Sequence, residues 1–171
     1  MGNFTDTAIF LLYEETLGSS SKWKYWFDTL PKKFDSGFVQ TFTDSERQMI
    51  SKSALLRYTD NRLHSIQKDY DQLCLLLEQT KLTIAKKFSF ERFFYWMTAI
   101  NSRDFNADFG DNQADLLIIP YLDLMNHSNK ENLRYGWDNH LQAFTAYADK
   151  DIEPNQELFF NYGQSLDNSE Y

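Results

Sequence analysis

Three short segments hold the side chains of this sequence that could do chemistry. They are Ser102-Arg103-Asp104-Phe105, Asp123-Leu124-Met125-Asn126-His127-Ser128 and Glu157-Leu158-Phe159-Phe160-Asn161-Tyr162-Gly163. The middle segment follows closely on an apolar run and Pro120. Several chemistries drop out by elimination. The histidines His64, His127 and His140 and the single cysteine Cys74 show no metal-ligand spacing, so no metal site is expected. There is no G-x-S-x-G, hence no nucleophile elbow. The six glycines are scattered and form no phosphate-cradling loop. On its own, an Asn-His pair after an apolar strand reads as a capped turn whose polar groups are satisfied locally.

Those segments need elements to position them. Ile9, Leu12, Tyr13 and Thr16 fall on one helical face, with Asp6 placed to cap the start and Gly18 the end. Trp23, Trp26, Phe27 and Leu30 repeat the spacing until Pro31. Thr43-Asp44-Ser45-Glu46 is a capping box that opens a helix through about Arg57. Leu63, Ile66, Tyr70, Leu73 and Leu77 mark a longer helix over about Asn61 to Thr80. Ser89 caps the next, whose stripe is Phe90, Phe93, Phe94, Met97 and Ile100. Beyond Asn101 the pattern changes. Asn106 to Gln113, with Gly110, reads as a polar surface loop, and Leu116-Leu117-Ile118-Ile119 as a buried strand ended by Pro120. Leu133 to Trp137 and Leu141 to Ala148 read as strands around an Asp138-Asn139 turn. Glu157 to Asn161 reads as one more strand. Before it, Pro154 and Asn155 suit the central positions of a type II turn. The residues alone predict an α+β chain, helices first and short strands after.

Composition sets outer bounds. The 171 residues are 42% hydrophobic and 17% aromatic, enough apolar surface for one real core. Seventeen basic against twenty-five acidic side chains give a formal charge of −8, which argues against a nucleic-acid partner. One cysteine excludes a disulfide framework. No apolar run reaches the roughly 18 residues that cross a bilayer, so no membrane partner is expected. With no signal-peptide pattern at the start, an intracellular protein, cytoplasmic or nuclear, is expected.

Taken together and in order, the three segments resemble the SET-domain protein methyltransferases, in the branch typified by the Rubisco large-subunit lysine and actin-histidine enzymes. That branch carries S-R-x-F, then P-x-x-D-x-x-N-H-S, then G-E-E-L-x-x-x-Y-G. Here these stand at Ser102 to Phe105, at Pro120 to Ser128, and at Asn155 to Gly163. Ser21-Lys22-Trp23, Tyr25 and Leu30-Pro31 are similar to the branch's S-x-W-x-x-Y-x-x-x-L-P signature. The resemblance implies a helical insert over residues 1–101 and a C-terminal SET core over 102–171, with short strands interlocked as a pseudoknot. It has no counterpart of the family's glycine-x-glycine segment, so the N-terminal SET strands are expected to be absent and the domain partial.

The implied cofactor is S-adenosylmethionine and the implied partner a protein substrate, methylated on lysine or histidine nitrogen. Asn126 and His127 would hold the adenine edge, largely through backbone groups, with Arg103 and Asp123 around the cofactor. Tyr162 matches the active-site tyrosine. The chemistry suits these residue types. A sulfonium methyl is already electrophilic, so no metal is needed. The nucleophile must be presented neutral, and lysine's free pKa near 10.4 means burial has to favour its uncharged form. An acidic surface suits a basic protein substrate. A SET-like module that binds a protein partner without catalysis retains the same core, so the residues leave that reading open.

Overall fold

The helical half is built around one helix that is apolar on nearly all sides. The structure is a computed structural model that describes residues 3–34, 37–80, 87–108 and 114–163. Helix α5, Phe90–Asn101, starts where the Ser89 side chain accepts the Arg92 N–H at 3.2 Å. Phe93, Met97 and Ile100 are buried as their spacing predicts, and so are Tyr95, Trp96, Thr98 and Ala99. The expected stripe was therefore too narrow. Trp96 packs its ring against Trp26, Phe27 and Tyr95 at centroid distances of 5.1 to 6.2 Å.

Helix α1, Asn3–Thr16, packs along α5. It begins before Asp6, which sits in its first turn rather than at its cap. Its buried face is Thr5, Ala8, Leu11 and Leu12, rotated from the expected one, and Tyr13 is exposed. Gly18 has a φ of 57°, the left-handed conformation of a helix end, as expected. Polar ties fix the pair: Glu15 accepts from Arg92 Nε at 3.1 Å and from Trp96 Nε1 at 3.2 Å. Helix α2, Lys24–Phe27, is a single turn. Helix α3, Asp44–Met49, opens on the capping box of Thr43 and Glu46 but stops at Ile50, well short of Arg57. A turn at Ile50 to Ser53 precedes α4, Ala54–Thr80, which starts seven residues earlier than its apolar stripe implied. Ile66 and Leu73 on that stripe are buried, and Asp69 accepts the Thr5 hydroxyl at 2.7 Å.

The chain divides into two units, residues 1–103 and 104–171. The second is described over strands β1 (Asp104–Asp108), β2 (Ala114–Ile118), β3 (Asn126–His127), β4 (Leu133–Asp138), β5 (Ala143–Ala148) and β6 (Phe159–Phe160). They form three two-stranded sheets: antiparallel β1-β2 and β4-β5, and parallel β3-β6. Residues 104–108 are strand where a polar loop was expected from Asn106. Backbone pairing with β2 overrides the polar composition there. Gly110 and the rest of 109–113, the remainder of that expected loop, lie outside the described residues. The β4-β5 loop takes four residues, Asn139 to Gln142, rather than a two-residue turn. Asp138 sets it by accepting the His140 and Leu141 N–H groups at 2.8 and 2.9 Å.

The apolar core of this unit is Phe105, Leu122 and Phe160, with Ile119, Met125, Tyr135 and Phe144 packed against it. Residues from all three sheets thus meet in one cluster.

Replacing Trp96 by Ala is expected to destabilise the chain by about 3–5 kcal/mol, because it empties a fully buried aromatic site. Tyr25→Ala, at a position 75% exposed, should cost no more than about 0.5 kcal/mol. Urea unfolding followed by circular dichroism measures both.

Candidate active site

The chain reaches the N-H segment through a strained corner. After β2 and Pro120, Tyr121 takes a φ of 73°, which a side-chain-bearing residue rarely adopts. The corner feeds a short 3-10 helix, Leu122–Leu124, held by the Asp123 N–H donating to Ile119 O at 3.1 Å. It turns Leu122 and Asp123 inward. Asp123 is only 8% exposed. Asn126 and His127 follow as β3, both exposed.

Strand β6 comes to β3 from the far end of the unit. The Glu153-Pro154-Asn155-Gln156 turn closes with the Gln156 N–H donating to Glu153 O at 3.0 Å, and Asn155 has a φ of 65°. This is the type II arrangement expected from Pro154 and Asn155. Asn126 then pairs with Phe159 and His127 with Phe160. The Ser128 N–H donates to Phe160 O at 3.1 Å. In a parallel ladder that bond fixes the alternation: the Asn126 carbonyl faces β6, while the N–H and C=O of His127 turn to the opposite edge.

The pairing brings three of the predicted site residues together. The Tyr162 N–H donates to His127 Nδ1 at 3.1 Å, and the Tyr162 hydroxyl donates to Met125 O at 2.9 Å. The His127 and Tyr162 rings lie 5.3 Å apart. Asn126 Nδ2 donates to Glu157 Oε1 at 2.7 Å. Tyr162 is 47% exposed. Behind it runs a row of rings: Tyr162 to Phe160 at 5.0 Å, Phe160 to Tyr135 at 5.1 Å, and Tyr135 to Phe144 at 5.7 Å. A cavity of about 320 Å³ opens beside Tyr135, Tyr147 and Phe160. Burial holds the Tyr135 hydroxyl above the ordinary phenol pKa, so it stays neutral. Asp123 lies one turn before this cluster. Arg103 closes the helical unit, its N–H donating to Ile100 O at 3.0 Å. Among the described residues no group of three His, Cys, Asp or Glu side chains is placed to hold a metal, and no helix is long and apolar enough to cross a membrane.

Sequence reasoning missed the residue that holds this arrangement. Asn132 is 1% exposed and uses all four of its hydrogen-bonding groups. Its N–H donates to Phe159 O at 3.1 Å, and its C=O accepts from Asp149 N at 3.0 Å. Its side chain donates to Glu157 O at 2.9 Å and accepts from Phe159 N at 2.8 Å. Glu157, the other omission, is therefore gripped through its backbone by Asn132 while its carboxylate holds Asn126. No periodicity marks an asparagine in a polar run, so its pattern carried no signal.

Asn132→Ala leaves a Glu157 carbonyl and a Phe159 N–H without their partner. It should destabilise the chain by about 2–6 kcal/mol, from roughly 1–3 kcal/mol for each stranded group. Asn132→Asp keeps the acceptor for Phe159 but sets oxygen against the Glu157 carbonyl, and it should also destabilise. Chemical denaturation of the two variants beside the parent measures both effects.

Comparison with known proteins agrees with this geometry. The SET domain model matches residues 13–163. The ribosomal lysine N-methyltransferase set10 of Schizosaccharomyces pombe is 22% identical over 157 residues, covering 90% of this chain and 28% of that protein. The chloroplastic ribulose-1,5-bisphosphate carboxylase/oxygenase large subunit N-methyltransferase of Pisum sativum is 25% identical over 181 residues, covering 96% of this chain and 35% of that protein. The chain thus spans about a third of the length of these relatives. Among solved structures, the SET domain of LSMT bound to methyl-lysine and AdoHcy superposes with a TM-score of 0.71 at 24% identity, over 98% of this chain and 38% of that one. Rubisco LSMT bound to AdoMet gives a TM-score of 0.68 at 21% identity, over 98% of this chain and 37% of that one. Motif order, the site geometry and these matches agree: the chain belongs to the SET domain family.

Proposed function

We propose that this chain is the core of an S-adenosylmethionine-dependent protein-lysine N-methyltransferase. The observation that carries the reading is the two-residue β3-β6 pairing, which seats the Asn126-His127 segment against Tyr162. Residues 1–101 are assigned to the helical insert and 102–171 to the C-terminal SET core. The parallel pairing of segments about 30 residues apart supports an interlocked, pseudoknot-like path. The relative named as a ribosomal lysine N-methyltransferase favours lysine as the target.

The residues present fit the cofactor. The outward N–H and C=O of His127 form a donor and an acceptor side by side, which suits an adenine edge with its amine donor and ring-nitrogen acceptor. Asn126 uses one N–H of its carboxamide on Glu157, which fixes the orientation of the side chain. Arg103 and Asp123 are assigned to the surroundings of the cofactor. When bound, the cofactor supplies an electrophilic sulfonium methyl.

Tyr162 is assigned as the catalytic tyrosine. Its hydroxyl proton is directed to the Met125 carbonyl, so toward a C–H or N–H group the phenol oxygen acts as an acceptor. The ring row from Tyr162 through Phe160 to Tyr135 supplies an apolar wall. Such a wall penalises a charged ammonium and so favours the neutral amine that can attack. The formal charge of −8 favours approach of a basic protein segment.

Titration calorimetry with S-adenosylmethionine tests the binding step. Transfer of labelled methyl groups to protein lysines tests the reaction. Tyr162→Phe should fold normally and bind cofactor, yet transfer roughly 10- to 1000-fold more slowly, about 1.4 to 4 kcal/mol in barrier. Parent and Tyr162→Phe rates that match at saturating cofactor would remove Tyr162 from the reaction.

A further inference from the structure

Both nitrogens of the His127 ring point into this chain. Nδ1 lies 3.1 Å from the Tyr162 backbone nitrogen, and Nε2 lies 3.2 Å from Asn129 Oδ1. A peptide N–H only donates, so Nδ1 must present its lone pair. The ring proton then sits on Nε2 and donates to Asn129 Oδ1. The geometry thus defines which ring nitrogen carries the proton, with each nitrogen already used.

Tyr162 lies two residues beyond the last pair of the β3-β6 ladder. Its backbone N–H is taken by the His127 ring instead of a strand partner. Its hydroxyl reaches Met125 O at 2.9 Å, two residues before His127. One short stretch, Met125 to His127, thus holds both ends of the tyrosine, and the two rings lie 5.3 Å apart. We infer that the His127 imidazole is a positioning group for Tyr162. The inference rests on the assignment of Tyr162 as the catalytic tyrosine.

Side-chain geometry provides the test. The oxygen of asparagine hangs from Cγ, as Nδ1 does in histidine, so His127→Asn keeps an acceptor for the Tyr162 N–H. His127→Gln carries its oxygen one bond further out, and His127→Ala has none. The four proteins are compared as full chains. In the parent, nitrogen NMR of the imidazole should show the lone pair on Nδ1 and the proton on Nε2. Hydrogen exchange of the Tyr162 amide should stay within about 3-fold of the parent in His127→Asn. It should quicken by at least about 10-fold in the Gln and Ala variants, the loss of one hydrogen bond. At saturating S-adenosylmethionine, methyl transfer should fall by about 10-fold or more in Gln and Ala and be rescued in Asn. Cofactor affinity should stay within about 3-fold in all four, since the backbone that faces it is unchanged.

A proton on Nδ1, or Tyr162 exchange unmoved by all three substitutions, overturns the inference. So does cofactor affinity that collapses while transfer at saturation stays intact, because the ring is then a ligand group. A parent chain with neither cofactor binding nor transfer strikes only the catalytic assignment. The imidazole spectrum and the Tyr162 exchange then decide the placement of the ring by themselves.

Discussion

The strand unit depends on one buried asparagine. Asn132 is 1% exposed, and a carboxamide that far from water has to satisfy its oxygen and its NH2 inside the protein. It does so on the backbone of Glu157 and Phe159, while its own backbone bonds to Phe159 and Asp149. A single residue therefore ties the entry to β4, the exit from β5 and the whole of β6. Its geometry permits one register for β6. A slip by one residue would bring to Asn132 a residue whose peptide groups face the other edge, and would turn Phe160 out of the core it shares with Phe105 and Leu122.

The consequence is local to the site. A two-residue parallel ladder cannot hold itself together, since even longer isolated pairs are marginal in water. The β3-β6 pairing persists because Asn132 fixes β6 from one side and the ring of Phe160 anchors it from below, 5.3 Å from Phe105 and 5.1 Å from Tyr135. Aromatic contacts of this kind add about 0.5–1.5 kcal/mol each beyond the area they bury. Backbone hydrogen bonding gives the pairing its direction, and packing gives it most of its stability.

Local signals in the sequence were readable wherever local physics decides the outcome. The Thr43-Glu46 box, the Ser89 cap, the left-handed Gly18 and the Pro154-Asn155 turn each depend on a few adjacent residues, and each stands where the residues put it. Helix bounds were less legible. Asp6 falls inside α1, whose first turn is tied to α4 by the Thr5–Asp69 hydrogen bond, and the first turns of α4 from Ala54 carry little of the apolar stripe that would mark them. Least legible were contacts between distant segments. β1 has a polar composition and is strand only through pairing with β2. Asn132 and Glu157 act on partners 25 to 31 positions away. Nothing in their own neighbourhoods distinguishes them from solvated polar residues. The closeness of Asn126, His127 and Tyr162 was expected from family resemblance, not from periodicity.

The site also separates two tasks that a motif written as letters runs together. The side chains of Asn126, His127 and Tyr162 have bonds inside the protein: to the Glu157 carboxylate, to the Tyr162 N–H and Asn129, and to the Met125 carbonyl. The backbone of His127 is turned to the free edge by the ladder. Side chains thus set the shape, and peptide groups are what the shape presents. Peptide groups are identical for every residue type, so the identity of the side chains must be fixed by the bonds that place those groups. An asparagine and a histidine meet that need here: one donates to a carboxylate across the strand pair, and the other accepts from a peptide N–H beyond its end. By the same reasoning, Asn155 can stand where the family pattern has glycine, because that turn needs only a tolerated left-handed φ of 65° and no particular side-chain bond.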